Sequence, residues 1–527
     1  MSVRRIPVRL PVMLFAAAVA AVFALGLFAA QADKPDLDMM NRIRFEGLQH
    51  SQVGKIVAYM SDVIGPRPTG SPEIDRANKW AAAKMKDWGM TNVALEPYEN
   101  FGVGWALRYV SAHLLEPHYA PLIAISVEWG SSTKGKIAGA PLYVDIKSKD
   151  DFAKYKGKLG GRIVLYEPPK PVPTQFTPDA RRHDAASLAA LSETPVRAAA
   201  PPDADYVRTF DDDLEDFFRA EGVGVLVSSS GAARREYGTV TARGVRQARD
   251  PKRPRPLPEI ILAAEHYNRV FRIIEEFKEP AKMEVEVRTE FFDKDQRGYN
   301  VVGEIPGADK ADEIVMLGGH IDSWSPGTGA ADDAAGCAVS LEAVRILRAL
   351  GVKPRRTIRV VLWSAEEKGW VGSKAYVEKH FGDPTKMSLK PEHARLAGYF
   401  NLDNGSGRIR GIYAQTNVAV KPIFEEWLEP FNDLGATHVV MRDTGGSDHG
   451  ALDYIGLPAF QFIQDPLDYG TRVHHTNMDV FDHLVVEDLM QAAVVMAAFV
   501  YNTAMREEML PRKPIPDPMH YPVRRRP

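Results

Sequence analysis

The stretch GGHIDSWSPGTGAADDAAGC, residues 318–337, sets His320 two residues before Asp322 and twelve before the adjacent pair Asp332 and Asp333. Small residues fill the space between them. A cluster of carboxylates beside an imidazole is costly to bury unless a cation sits among them. The same character returns at Glu366–Glu367, Asp403 and His474–His475. Two imidazoles and three carboxylates form a ligand set that suits zinc, with cobalt or manganese as substitutes. They exceed what one tetrahedral ion needs. Two ions sharing a bridging carboxylate would use them all, and paired ions about 3.5–4 Å apart clamp a hydrolytic transition state. Adjacent residues leaving a strand point in opposite directions. One of Glu366 and Glu367 is therefore expected to face the metals as a ligand, and the other the water as a general base.

Each group alone has a plainer reading. Asp332–Asp333 could cap a helix, Glu366–Glu367 could be exposed acids, Asp403 could serve a turn, and a lone histidine could simply pack. The joint arrangement favours the metal reading, because the elements around these residues bring them to one edge. EIVMLGGH, TIRVVLWSAEE, LAGYFNLDN and LPAFQFIQD read as buried parallel strands. In such sheets ligands bind beyond the carboxyl ends, and that is where every one of these groups falls. Residues 333–350 are expected as a helix, with Val339, Ala343, Ile346, Leu347 and Leu350 on one face and Gly351 and Pro354 as its stop. Asp332 would open it, where the helix dipole favours an anion.

The rest of the chain is read more coarsely. Residues 35–115 look helical: SQVGKIVAYMSDVIG has helical spacing, and Ser71–Pro72 to Gly89 reads as a capped helix. Residues 116–290 carry the short apolar runs APLYVDI, GRIVLYE, GVGVLVSS and EIILAAEHY, as expected of an inserted α/β domain. A Pro/Ala-rich excursion over 169–205 is expected to be a surface loop with little packing. Residues 291–508 resume the first domain and carry the site, and 509–527 form a Pro-rich, basic, extended tail.

The chain has 527 residues, 45% hydrophobic and 26% charged, in the range of folded proteins. Its net charge of −3 excludes a general polyanion binder, so no nucleic-acid partner is expected. The one cysteine, Cys337, rules out an intrachain disulfide and a thiolate cluster; it reads as a small core residue. Arg4, Arg5 and Arg9 precede a charge-free stretch, PVMLFAAAVAAVFALGLFAA, and then Ala30-Gln31-Ala32. Residues 1–32 thus read as a secretory signal peptide, with an uncleaved membrane anchor as the alternative. Without disulfides, a bacterial periplasm or secretion suits the chain.

These residues resemble the M28-type zinc aminopeptidase family of co-catalytic exopeptidases. Its pattern of H-x-D, D-D, E-E, D and H-[ST]-x-x-D is met by His320–Asp322, Asp332–Asp333, Glu366–Glu367, Asp403 and His475–Asp479. GPRPTGSPE is similar to the family's N-terminal signature. Within the family, HIDSWSPGTGAADDAAG is most similar to the carboxypeptidase Q branch, and the insert to that branch's protease-associated domain. The resemblance implies a mixed, mostly parallel α/β sheet with helices on both faces, of the zinc-exopeptidase, phosphorylase/hydrolase-like kind. It implies two zinc ions: one held by His320 and Asp403, the other by Glu367 and His475, with Asp332 as bridge. Glu366 would be the base, and Asp322 would orient His320 through its second ring nitrogen. Asp333 is left to start the helix or support the ligands from behind, His474 to pack or support them likewise, and GGSDHG, residues 445–450, is given no role. The implied function is a secreted exopeptidase acting on dipeptides or short peptides, with a homodimer as its implied assembly. The alternatives are an aminopeptidase on longer peptides and a non-peptide amidase or deacetylase. A one-zinc glutaminyl cyclase or a non-catalytic binding protein would lack part of the ligand set that is present here.

Overall fold

The computed structural model describes residues 34–193, 209–231, 236–245 and 248–518. The expected signal segment lies outside them. Among the described residues no helix is long and apolar enough to cross a membrane.

Eight strands form the main sheet: β1 Thr91–Tyr98, β2 Gly298–Ile305, β3 Lys310–His320, β4 Arg356–Trp363, β5 Leu396–Asn401, β6 Ile409–Tyr413, β7 His438–Val440 and β8 Ala459–Gln464. Their order is β1-β2-β4-β3-β5-β8-β6-β7. The central run β4-β3-β5-β8 is parallel, and so is β6 with β7. The remaining pairs, β1–β2, β2–β4 and β6–β8, are antiparallel. The sheet is thus mixed and mostly parallel, as expected.

Both faces of the central strands are covered, which is why those strands are mostly apolar. In β3, Val315 and Leu317 face one core, and Ile314 and Met316 the other. The first core takes helices α1 Leu37–Gln49, α2 Val53–Ala58, α3 Pro72–Asp87 and α4 Ala335–Ala349. The second takes α5 Val371–His380, through Tyr376 and Val377, and the short helix α6 His449–Asp453, through Ala451 and Leu452. A long C-terminal helix, α7 Val486–Met505, closes the first core. Ser71 caps α3 by accepting the Ile74 N–H at 3.2 Å, with Pro72 in its first turn.

Two strands lie in or at the edge of the stretch read as helical. β1 joins the edge of the main sheet, and Gly104–Glu116 pairs antiparallel with Lys282–Phe292. This ribbon carries the chain out of the main sheet before residue 104 and returns it at β2. The expected short strands of the insert assemble as a five-stranded sheet containing Leu142–Tyr143, Ile163–Leu165, Val225–Ser229 and Glu259–Leu262.

The excursion departs from expectation. In its described part Arg182 reaches Asp465 at 2.9 Å and Asp488 at 2.6 Å, both buried in the main domain. Arg181 donates its N–H to the Leu467 carbonyl, and Leu188 is buried. Composition alone misses this, because the docking is done by isolated polar residues whose partners lie far away in sequence. The tail is extended as far as it is described, yet docked: Leu510 is buried and Lys513 pairs with Asp453 at 2.6 Å.

Candidate metal centre

Parallel strands deliver their carboxyl ends to one edge. His320 ends β3, Glu366 and Glu367 follow β4, Asp403 follows β5, and His475 lies on the loop after β8. His320 Nε2 stands 3.2 Å from Asp332 Oδ1 and 3.5 Å from Asp403 Oδ1. Glu366 Oε2 is 4.0 Å from the same nitrogen. His475 Nε2 stands 3.3 Å from the other Asp332 oxygen, Oδ2, and 3.1 Å from Glu367 Oε2. The two oxygens of Asp332 therefore face different imidazoles, the arrangement a bridging carboxylate needs.

Asp332 Oδ2 and Glu367 Oε1 are buried with no hydrogen-bond partner. Orphaned carboxylate oxygens of this kind are expensive, and a divalent cation satisfies them directly. His320, Asp332 and Asp403 offer ligand atoms within 4.8 Å of one another, and so do Asp332, His474 and His475. The second group includes His474, for which the sequence suggests packing or support of the ligands. Its Nε2 lies 3.8 Å from Asp332 Oδ2, and its ring stacks on His475 at 3.7 Å.

The electrostatics fit a site short of positive charge. Burial alone would lower the His320 pKa, but Asp403, Asp322 and Asp332 outweigh it and hold the imidazole well above its ordinary value. Burial pushes the Glu366 and Glu367 carboxyls up, and drives Asp448 to about 8. Asp332 goes the other way: the pull of His320 overcomes its burial and holds it below the usual carboxylate range. A cation at the centre would relieve the raised acids.

The surrounding residues hold backbone more than side chain. Asp322 accepts the Thr69 hydroxyl and the Glu366 N–H, each at 3.1 Å. His320 Nδ1 is 3.0 Å from the Asp322 main-chain carbonyl and 3.7 Å from its carboxylate. Asp322 thus orients His320 mainly through its carbonyl, while its carboxylate fixes Glu366. Asp333 accepts the His320 N–H at 3.0 Å and the Gly336 N–H at 2.9 Å. Asp479 accepts the N–H groups of Ala331 and Asp332 at 2.7 and 3.2 Å. That role went unassigned in the sequence, although Asp479 closes the H-T-x-x-D motif. The Arg67 guanidinium, fully buried, donates to the carbonyls of Gly65, Ile321, Thr328 and Gly329. It explains the GPRPTG stretch: a fork of donors ties that stretch to the end of β3 and the approach to Asp332.

Two local expectations are corrected. Asp332 and Asp333 have non-helical backbones, and α4 begins only at Ala335, so Asp332 precedes the helix rather than opening it. Glu366 and Glu367 lie in a turn three and four residues past Trp363, entered through Ala365 at φ +58°. Strand alternation does not separate them. Both side chains are buried, and they approach different histidines, Glu366 His320 and Glu367 His475. The small residues have a steric reason: a Cβ on Gly327 would lie 2.6 Å from the Asp479 carbonyl oxygen and 2.8 Å from that of Thr476. His475 has φ +59°, a conformation costing about 1–2 kcal/mol in a non-glycine residue. It is held there by the Ala242 N–H, which donates to its carbonyl at 2.7 Å.

Residues 300–500 match the model of peptidase family M28. Carboxypeptidase Q from Bos taurus is 27% identical over 463 residues, covering 86% of each chain. The M28 peptidase precursor from Shewanella amazonensis SB2B has a TM-score of 0.63 at 24% identity, covering 91% of this chain and 98% of that one. BSAP, a zinc aminopeptidase from Bacillus subtilis, has a TM-score of 0.52 at 18% identity, covering 87% and 95%. At such identities the two solved structures speak for the fold alone.

Proposed function

From the match of residues 300–500 to the model of peptidase family M28, we propose that this chain is an exported di-zinc exopeptidase acting on dipeptides or short peptides. The observation that carries the reading is Asp332, whose two oxygens face His320 and His475 at 3.2 and 3.3 Å. His320, Asp403 and Asp332 would hold one ion, and Glu367, His475 and Asp332 the other, with His474 within reach of the second. Bound there, zinc would supply Lewis acidity to the scissile carbonyl and make the attacking water a nucleophile near neutral pH.

The chain's own residues do the rest. Glu366 takes the proton from the attacking water and passes it to the leaving amine. It is buried beside the ligands, with Oε2 4.0 Å from His320 Nε2, where it can reach a water at the centre. Asp322 fixes Glu366 by its backbone N–H, and Asp479 fixes Asp332. Export rests on residues 1–32, a protease-associated character of the insert on its resemblance, and a homodimer on the likeness to carboxypeptidase Q.

The test is zinc analysis of the exported protein together with a panel of dipeptides blocked at one end or the other. Two zinc ions per chain, and activity lost to a chelator and restored by zinc, are expected. Full activity without metal would end the reading. Cleavage that tolerates a blocked carboxyl but not a blocked amine would favour the aminopeptidase alternative. Activity on acyl amides with none on the dipeptides would favour the amidase.

A further inference from the structure

We propose that Glu128 of the insert is a positioning residue for the Glu367–His475 half of the metal centre, a proposal that rests on the two-ion reading above. Glu128 is 1% exposed and its carboxylate is divided between two segments of the main domain. Oε1 accepts the Ser325 N–H at 2.7 Å, and Oε2 accepts the Lys368 ammonium at 3.0 Å. Ser325 lies between His320 and Asp332, and Lys368 directly follows Glu367. The Lys368 ammonium sits 3.2 Å from the centre of the Trp324 ring, and that ring lies 5.6 Å from the ring of His475. One side chain therefore fixes the segments bearing Asp332 and Glu367 and, through Trp324, packs against His475.

The backbone repeats the pattern. Glu128 N–H donates to the Arg243 carbonyl, and the Val245 N–H donates back to Glu128. The same insert segment meets the histidine loop: Ala242 N–H donates to the His475 carbonyl, and Val240 N–H to Asn477 Oδ1, each at 2.7 Å. His320, by contrast, is held by Asp322, Asp333 and the strand it ends.

The chemistry makes the effect selective. Glu128 and Lys368 are a buried ion pair, and removing one partner leaves the other uncompensated. Freed of Glu128, the Lys368 ammonium has the carboxylate of its neighbour Glu367 to turn to, and Glu367 Oε1 is buried without a partner. A lysine bound to Glu367 competes with the ion for its ligand. A staple that merely joins the insert to the main domain would lower stability and leave the two ions equally affected.

The experiment measures zinc content after dialysis, and chelator competition, on the full exported chain. Wild type should hold two ions. Glu128→Gln should keep one as before and bind the other roughly 10–100-fold more weakly, the usual scale for losing a residue that supports a ligand. Adding Lys368→Met to Glu128→Gln should restore most of that affinity. Tyr267→Phe, a buried change elsewhere in the insert, should lower the melting temperature and leave both affinities alone. If Glu128→Gln does not fold by circular dichroism, Glu128→Asp, whose shorter side chain stops short of Lys368 and leaves its ammonium free, carries the same test. A variant that holds both ions as wild type does, or loses both in step, overturns the proposal, as does a double variant no better than Glu128→Gln. Wild type holding a single ion would instead defeat the two-ion reading itself.

Discussion

His320 is the last residue of β3, and Asp403 comes two residues after the neighbouring strand β5. The register that pairs Gly318 with Asn401 sets them level if carried two residues further. Glu367 and His475 come four and eleven residues after their strands, on a turn and a loop. One half of the centre is thus positioned by the sheet's own hydrogen bonds. The other is positioned by contacts from outside the sheet, many of them from the insert. Strand ends are fixed by the whole core, so the first half needs few dedicated supports. Loops must be held residue by residue, and His475 keeps its left-handed backbone only because neighbouring groups hold it. A substitution can therefore strike both halves, one half or neither, and metal content can tell which.

The largest effect is expected where the halves meet. Asp332→Asn should weaken both ions together, by more than the roughly 10–100-fold typical of an outer partner, with activity lost. Zinc analysis checks it. If one ion stayed as tightly bound as before, Asp332 would belong to a single half.

Next come the two glutamates. Glu366→Gln should keep both ions and the fold, because the change is nearly isosteric. It should still cost about 10²–10⁴-fold in kcat with little change in KM, the scale for removing a positioned general base. Glu367→Gln should lose or weaken one ion, since a neutral amide is a poor zinc ligand. Kinetics and metal content on the pair decide it, and exchanged outcomes would reverse the roles.

The same division decides how much was legible in the sequence. The parallel strands, their apolar runs and the acids at their ends could be read directly, because β-sheet periodicity and sharp strand ends leave a local mark. His320 and Asp403 stand at the strand ends that mark points to, while Asp332 precedes the helix it is expected to open. The loop half left less. Nothing local set His474 apart as a neighbour of Asp332. Strand alternation was extended to Glu366 and Glu367, but the strand ends at Trp363 and a left-handed Ala365 turns the chain. The excursion read as bare loop because Arg182 finds Asp465 and Asp488 some 280 and 300 residues away. Such contacts depend on tertiary position and carry no sequence period.

Arg182 offers a smaller test on the loop side. Asp465 starts the connection from β8 to His475, and it also pairs with Arg410 at 2.9 Å. Arg182→Ala therefore leaves Asp465 partly compensated. It should cost about 1–2 kcal/mol, the scale of a charged hydrogen bond at a part-exposed donor. The expected readout is a lower melting temperature and a few-fold weaker second ion, with the first unchanged. Equal weakening of both ions would mean that the strap steadies the whole site.

The smallest effect tests the strand side at its rim. His380, the last residue of α5, lies between Glu96 of β1 at 2.7 Å and Glu392 at 3.0 Å. Lys379 also meets Glu96, and Arg359 meets Glu392. Burial alone would lower the His380 pKa, but the two glutamates prevail and raise it. The folded state therefore holds this proton more tightly than the unfolded chain does. The resulting stability is fully present below the unfolded histidine pKa of about 6.5, and is lost as pH rises through the folded value. Its size should stay under about 1 kcal/mol, as for part-exposed pairs sharing their partners. The difference in melting temperature between wild type and His380→Gln should shrink as pH is raised from 6 upward, while zinc content stays the same in both. An unchanged difference would show that the pair does not titrate in this range. A loss of zinc with His380→Gln would show that the strand half leans on its periphery as the loop half does, and the contrast between the halves would fail.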